Sequence, residues 1–232
     1  MKRQPAVLIV PALDEAPVIA STLARIPAGL FLAVIVADNG STDGTGPIAA
    51  AAGAMVVTRA EKGYGGACLA AIEAVPAETE VVAFMQADGS EDPREAAELL
   101  SPIFDGRADL VLGSRVLGRS SPGALLPHQR FGNWLSTTLI RWIWGHAYTD
   151  LGPFRAIRLS SLRAMDMREL AYGWTVEMQV KAVVNGLRVL EIPVTYGIRE
   201  AGVNKVSGNA KASVMAGARI LAVIVRLALR AR

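Results

Sequence analysis

Cysteine is nearly absent from the sequence, and so is histidine. The single Cys68 leaves no disulfide framework and no cysteine-based zinc or iron–sulfur site, and His128 and His146 are too few for a histidine metal cluster. A reducing compartment suits such a chain. Long apolar runs are missing as well. Arg141 interrupts the tract in the middle of the chain, and Arg219 and Arg226 interrupt the last one, short of the ~18 apolar residues that a membrane-spanning helix needs. Met1 to Gln4 lead into a short apolar run ended by Pro11 and the acidic Asp14 and Glu15, so no signal peptide is read and a cytoplasmic protein is expected. Two nucleotide fingerprints are also missing. The first strand-to-helix turn, Pro11-Ala12-Leu13-Asp14-Glu15, has no glycine where a dinucleotide fold places G-x-G-x-x-G, and no G-x-x-x-x-G-K-[ST] occurs.

What is present is a greasy globular chain. Its 232 residues suit one domain with appendages, and 52% hydrophobic with 19% charged residues excludes a disordered tail, a collagen-like fibre and a basic protein that coats nucleic acid. The net charge of +3 conceals a division. Residues 1–116 carry 8 Lys+Arg against 15 Asp+Glu, a balance of −7, and residues 117–232 carry 16 against 6, a balance of +10. The first half is therefore suited to a cation or a nucleobase, and the second to phosphates or an anionic membrane surface.

Ala6 to Val10, Phe31 to Ala37, Ala54 to Thr58, Val81 to Met85 and Leu110 to Leu112 are near-continuous apolar runs, the pattern of parallel strands buried on both faces. Between them, Pro17 to Arg25, Gly44 to Ala52, Gly66 to Val75 and Pro93 to Phe104 have helical length and are rich in alanine. The alternation predicts an α/β fold, a doubly wound, mostly parallel sheet flanked by helices. Further on, Leu125 to Trp144 and Trp174 to Val184 read as helices, Leu187 to Ile198 as one or two strands broken at Pro193, and Ala210 to Leu229 as a long terminal helix.

Ligands of such sheets sit beyond the carboxyl ends of the strands, and here those ends are acidic. Asp38 leaves a buried strand with no Lys or Arg close by in sequence, which suits a ligand or a metal; an Asx turn explains Asp43 better than Asp38. Gly63-Tyr64-Gly65-Gly66 opens a helix, either letting amides approach an anion or making a tight turn.

The order and spacing of five segments resemble glycosyltransferase family 2, of GT-A fold. They are Pro11 to Glu15, Asp38 to Thr45, Lys62-Gly63-Tyr64-Gly65-Gly66-Ala67, Gln86-Ala87-Asp88 and Gly113-Ser114-Arg115. The similarity is greatest to the dolichyl-phosphate mannose synthases and the bacterial polyprenyl-phosphate glycosyltransferases. It continues through Arg130-Phe131-Gly132-Asn133, Asp150 to Arg155, Glu177, Ile192-Pro193-Val194 and Gly202 to Gly208.

The resemblance implies an inverting hexosyl transfer from a UDP- or GDP-linked sugar to a polyprenyl phosphate. It implies that Pro11, Ala12, Leu13, Glu15, Asp38, Gly40, Lys62 and Gly63 hold the donor nucleotide. Asp88 and Gln86 would hold Mg²⁺ or Mn²⁺ on the diphosphate, hard cations that take oxygen ligands. Asp88, Arg115 and Asp150 form the implied catalytic set, and Arg130, Arg155, Glu177, Arg199 and Lys205 the implied acceptor and phosphate set. Two departures stand out. Gln86 replaces the first carboxylate of the family's D-x-D, and Asp150 to Arg155 is one residue shorter than D-x-[ST]-G-x-F-R. The competing readings are the same donor chemistry on a soluble phosphorylated or sugar acceptor, and a nucleotide-sugar-binding protein whose catalysis is weakened by Gln86.

On this reading residues 1–209 make the GT-A domain, with 1–116 as its nucleotide-sugar half and 117–209 as its acceptor half. Residues 210–232 form an amphipathic C-terminal helix. At 100° per residue Arg219, Arg226 and Arg230 fall within about 40° of one another on an otherwise apolar helix, a pattern expected at an anionic membrane surface. Trp134, Trp142 and Trp144 make a second candidate for peripheral contact with the inner face of the cell membrane. Burial against the protein itself or a homodimer partner is the alternative for both.

Overall fold

The computed structural model describes residues 5–200 and 210–230. β1 (Ala6–Ala12), β2 (Ala33–Asp38), β3 (Met55–Thr58) and β4 (Val81–Phe84) alternate with α1 (Ile19–Ala24), α2 (Thr45–Ala51) and α3 (Tyr64–Glu73). A 3-10 turn at Pro93–Glu95 runs into α4 (Ala96–Phe104). There follow β5 (Leu110–Ser120), α5 (Pro127–Trp144), β6 (Arg155–Arg158), α6 (Leu159–Ala164), α7 (Trp174–Val184), β7 (Val189–Tyr196) and α8 (Ala210–Arg230).

The strands form one sheet in the order β3-β2-β1-β4-β6-β5-β7. All run parallel except β6, which lies antiparallel between β4 and β5. Val7 to Val10 have no exposed surface, because helices cover both faces of the sheet. Ile19, Ala49, Leu99 and Ile103 of α1, α2 and α4 pack on one face, and Cys68, Ile140, Trp174 and Val223 of α3, α5, α7 and α8 on the other.

The sheet departs from the sequence-based expectation in three places. β5 runs on to Ser120 instead of ending at Leu112, by pairing with β7 through a register shift between Ser114 and Arg119. Gly118 makes that pairing possible, since a Cβ there would lie 2.0 Å from the Val194 carbonyl oxygen. β7 passes through Pro193 unbroken; as the edge strand it tolerates a residue without an amide proton. β6, Arg155-Ala156-Ile157-Arg158, was not expected as a strand at all, being four residues long with arginine at each end.

The arginine stripe of α8 has a partner within the fold. Arg219 Nε and Nη2 donate to the Glu169 carboxylate at 2.8 and 3.2 Å, and Arg226 Nη2 donates to it at 3.2 Å. Glu169 has no exposed surface, while the two arginines that reach it stay partly exposed, their side chains 49% and 37% accessible. Val223, Ile224 and Leu227 are buried beside them, while Val214, Met215, Val225 and Leu229 point outward.

The asymmetry of this cluster is testable. Glu169→Gln leaves two half-exposed arginines that water can reach, and is expected to cost about 2 kcal/mol in urea unfolding. The double variant Arg219→Met/Arg226→Met strands a buried carboxylate and is expected to cost about 3–5 kcal/mol. Equal losses would mean that the carboxylate is not the costly partner.

Candidate active site

Register brings the donor-side residues together. Ala12 of β1 pairs with Asp38 of β2, so the two following turns leave the sheet side by side. They are stitched to each other. The Asp14 and Glu15 amides donate to the Ser41 and Thr45 hydroxyls at 2.9 and 2.7 Å, and the Thr42 amide returns a bond of 2.8 Å to Asp14 Oδ1. These bonds hold Asp14 in the left-handed region at φ 49°, a conformation costly for a residue with a side chain.

Asp38 is buried, and its Oδ1 accepts the Ser41 amide at 2.9 Å, so an Asx turn explains one of its two oxygens. The other oxygen lies over Gly46, where a Cβ would come within 2.9 Å of it. Pro11, Ala12 and Leu13 line the same strand end, and Gly40 turns there at φ 77°. The Gly63 amide donates to Asn39 Oδ1 at 2.8 Å, and the Gly66 amide to the Leu170 carbonyl at 3.0 Å. A Cβ on Gly65 would lie 2.0 Å from the Glu169 carbonyl oxygen. This glycine cluster therefore admits the 169–170 loop, and Lys62 beside it is exposed.

The turn after β4 carries the candidate cation site. Ser90 Oγ donates to Asp88 Oδ1 at 2.6 Å, and the Ser90 amide bonds the same oxygen at 3.1 Å. Gln86 presents its side-chain carbonyl 3.4 Å from the same hydroxyl. A buried carboxylate oriented by its own turn, beside an amide carbonyl, is a hard-oxygen donor set that fits Mg²⁺ or Mn²⁺. Asp92 is committed elsewhere, capping the 3-10 turn and gripping Arg94.

Glu91, which together with Asp92 the sequence offers as a further carboxylate for the cation, lies beneath this turn and accepts the Gln86 amide at 2.7 Å. Burial pushes its carboxyl up to about 8; the Gln86 hydrogen bond opposes that rise, the neighbouring Asp88 charge adds to it, and Arg115 and Arg155 oppose it.

Arg199 answers these carboxylates. Its guanidinium bonds Glu15 and also reaches Asp88 Oδ2 at 3.3 Å. The expectation that it joins an acceptor cluster is corrected: it sits among the donor-side acids, delivered there by the chain that leaves β7 and bonds Ser90 and Asp88 through the amides of Gly197 and Glu200.

Arg115 and Asp150 form a seam between β5 and the 147–150 loop. Asp150 accepts the Arg115 amide, Nε and Nη2 at 2.7–2.8 Å, and the guanidinium lies 5.2 Å from the Tyr196 ring centroid. Burial works against the Arg115 charge, and the Asp150 carboxylate outweighs it, holding the guanidinium above its ordinary value. Glu191 of β7 braces the pair by accepting the amides of Thr149 and Asp150.

Beyond the seam opens a cavity of about 680 Å³ between the far end of β5, α5 and the 147–150 loop. Arg115, Arg130 and Arg141 line it, with Val116, Leu125 and Trp134 among its apolar walls. Arg141 went unrecognised in the sequence. The signal was there: 130, 134, 137 and 141 recur at helical spacing on one face of α5.

Two acceptor assignments are corrected. Arg155 is 1% exposed and spends its donors on the carbonyls of Gly152 and Thr175 and on Gln179 Oε1, so it lies under the site and not on its rim. Glu177, equally buried, accepts the amides of Arg168 and Glu169 and pairs with Lys181 at 3.0 Å, which makes it a brace for that loop. Lys205 and the Gly202 to Gly208 segment lie outside the described residues.

An open sheet with acidic strand ends facing an arginine-lined cavity defines the class: a GT-A glycosyltransferase. The model of the family described as "Glycosyl transferase family 2" matches residues 7–165, and the chain belongs to that family. It is 36% identical over 211 residues to an uncharacterised glycosyltransferase of Mycobacterium tuberculosis, covering 90% of this chain and 93% of that one. It is 32% identical over 217 residues to an undecaprenyl-phosphate mannosyltransferase of Micrococcus luteus, covering 87% of each. Among solved structures, the glucosyl-3-phosphoglycerate synthase of Mycobacterium tuberculosis, in complex with Mn²⁺, UDP and glucosyl-3-phosphoglycerate, superposes with a TM-score of 0.75. That match covers 95% of this chain and 78% of the other at 21% identity, and it shows the shared fold.

The elevated Glu91 value gives a pH prediction. Between the ordinary glutamate value of 4.5 and about 8 the folded chain keeps a proton that the unfolded chain releases, so stability falls as pH rises through that window and levels off above it. Glu91→Gln is expected to remove this slope from unfolding free energies measured at pH 5.5 and 8.5; a parallel pair of profiles would refute the assignment.

Proposed function

We propose that the protein is an inverting glycosyltransferase that moves a hexose from a nucleoside-diphosphate sugar to a polyprenyl phosphate held at a membrane surface. The observation that carries this reading is the division of the site. Glu15, Asp38 and Asp88 gather on one side of the Arg115–Asp150 seam, and Arg115, Arg130 and Arg141 line the cavity on the other.

Asp38 and the strand ends around Pro11, Ala12, Leu13 and Gly40 supply acceptors and a floor for nucleobase and ribose. Asp88 and the Gln86 carbonyl would hold Mg²⁺ or Mn²⁺, which when bound neutralises the departing diphosphate as a Lewis acid. Arg115, kept charged and in place by Asp150, adds a forked donor at the seam. An acceptor phosphate docked by Arg130 and Arg141 presents an oxygen already ionised at neutral pH, so no general base is needed. That oxygen attacks the anomeric carbon in line, the new C–O bond forms as the bond to the diphosphate breaks, and the electron pair leaves on the diphosphate.

The lipid acceptor is supported by the apolar surface beside the cavity. Phe131, Trp134 and Trp142 of α5 are 60%, 59% and 78% exposed, and Val214, Val225 and Leu229 of α8 are 72%, 57% and 69% exposed. Among the described residues no helix is long and apolar enough to cross a membrane, so contact would be peripheral. A soluble phosphorylated acceptor is the second reading, favoured by the neighbour solved with glucosyl-3-phosphoglycerate.

Calorimetric titration with UDP, GDP and their sugar conjugates, with and without Mn²⁺, tests the donor half. One nucleotide is expected to bind more tightly with metal, and Asp88→Ala is expected to lower hexosyl transfer at least 10³-fold. Binding indifferent to Mn²⁺ would favour a catalytically weakened binding protein. For the acceptor, Val225→Glu/Leu229→Glu is expected to abolish flotation with anionic liposomes while leaving nucleotide binding intact. A wild-type chain that never floats would favour the soluble acceptor.

A further inference from the structure

The loop between α6 and α7 stands between the terminal helix and the donor side, and it is gripped from both. On the donor side it is seated on glycines. A Cβ on Gly63 or Gly65 would collide with the carbonyl oxygen of Leu170 or Glu169, so backbone lies directly on backbone, and the Gly66 amide donates to the Leu170 carbonyl at 3.0 Å. The segment seated in this way is locked to the turn after β2. The Gly63 amide donates to Asn39 Oδ1 and the Arg59 amide to the Asp38 carbonyl, both at 2.8 Å, and a Cβ on Gly40 would lie 3.1 Å from the Ala60 carbonyl oxygen. On its other side the loop is held by α8. The Glu169 carboxylate has no exposed surface, and its donors among the described residues are Arg219, Arg226 and the Ala171 amide of its own loop. Val223 fills the space at Gly173, where a Cβ would lie 2.6 Å from its side chain.

Resting on the donor reading above, we propose that Glu169, held by Arg219 and Arg226, is a positioning residue for the donor nucleotide. The bond fixes the 169–170 backbone beneath residues 62–66 and so sets where Lys62 and Gly63 stand relative to Asp38. The loop has two arrangements. With both arginines in place the carboxylate stays buried and the loop stays seated on the glycines. Without them the charge is too costly to keep from water, the side chain turns out to reach it, and the backbone that carries it lifts from Gly63 and Gly65. None of the three side chains needs to touch the nucleotide, because the contacts between them and the donor turn are packed closely enough to pass on a displacement. Donor affinity therefore follows the burial of the Glu169 charge and not the bulk of α8.

The test removes the arginines and then the charge. The full chain is titrated calorimetrically with UDP and GDP in the presence of Mn²⁺ as wild type, Arg219→Met/Arg226→Met and Arg219→Met/Arg226→Met/Glu169→Gln, with folding checked by near-UV circular dichroism. The double variant is expected to weaken nucleotide binding about tenfold, within the range that such contact networks carry. Adding Glu169→Gln is expected to restore binding to within about threefold of the wild type, because a neutral amide is far cheaper to bury than a carboxylate. A general loss of packing would instead leave the triple variant as weak as the double one or weaker. Amide hydrogen exchange followed by NMR is expected to quicken at Gly63 and Gly66 in the double variant and to return in the triple variant, with Val7 to Val10 of β1 unchanged in both. If the double variant does not fold, Arg226→Met, which leaves Arg219 paired, takes its place and is expected to weaken binding about threefold. Unchanged nucleotide affinity or unchanged Gly63 and Gly66 exchange in a folded arginine variant, or no rescue by Glu169→Gln, overturns the proposal while leaving the donor reading intact. Wild-type protein that binds neither nucleotide overturns the donor reading together with it.

Discussion

A guanidinium under the sheet ties the two halves of this molecule together. Arg155 begins the one antiparallel strand, and its donors reach Gly152, Thr175 and Gln179. Burial draws it down to about 10, and the nearby Tyr64, Tyr148 and Asp150 counter that loss. No single acceptor neutralises it. Instead, the carbonyls of the turn before β6 converge on it, which forces that turn into one shape and presents Asp150 to Arg115. The Gln179 amide closes the circuit by donating to the Asp150 carbonyl at 3.0 Å, so α7 is held to the same point. Without this charge the 150–152 turn would lose the donors that its inward-pointing backbone oxygens meet, and the Arg115–Asp150 pair would lose its anchor.

The electrostatic plan follows from where β6 lies. Inserted between β4 and β5, it separates the Gln86 to Glu91 turn from Arg115 by one strand width, so acids and arginines occupy adjacent but distinct strand ends. Arg199 crosses that boundary and bonds Glu15 and Asp88, giving the acid side a resident positive charge. The halves of opposite net charge seen in the composition interleave in the sheet, β6 of the second lying between β4 and β5 of the first.

Much of this was legible in the sequence and some could not be. β1 and β4 were readable because a parallel strand covered on both faces must be apolar at every position, as Val7 to Val10 and Val81 to Phe84 are. Asp38 and Asp88 were readable because the chain turns at predictable strand ends. β6 was not, since Arg155 and Arg158 give it no apolar pattern and its strand character comes from two neighbours distant in sequence. Arg155 and Glu177 were misplaced for a related reason: a motif locates a charged residue along the chain but does not say whether its head group faces a ligand or a backbone carbonyl. The depth of Glu91 beneath its turn, with one oxygen buried and without a donor among the described residues, is a property of packing alone.

The terminal helix shows how a correct periodicity leaves open what a charged stripe meets. A narrow arginine stripe on an apolar helix normally marks the side that meets water or lipid headgroups. Here a carboxylate with no exposed surface, Glu169, draws Arg219 and Arg226 inward, and that leaves α8 to turn Val214, Met215, Val225 and Leu229 outward. The same loop that holds Glu169 lays its backbone on Gly63 and Gly65 at the start of α3, so the anchoring of α8 and the Asn39–Gly63 contact of the donor side share one support. Glu169 is thus neutralised by two arginines that keep part of their hydration, so the buried carboxylate and not either guanidinium fixes how α8 sits on the fold, and the helix's outward apolar side chains are what remains once that bond is made.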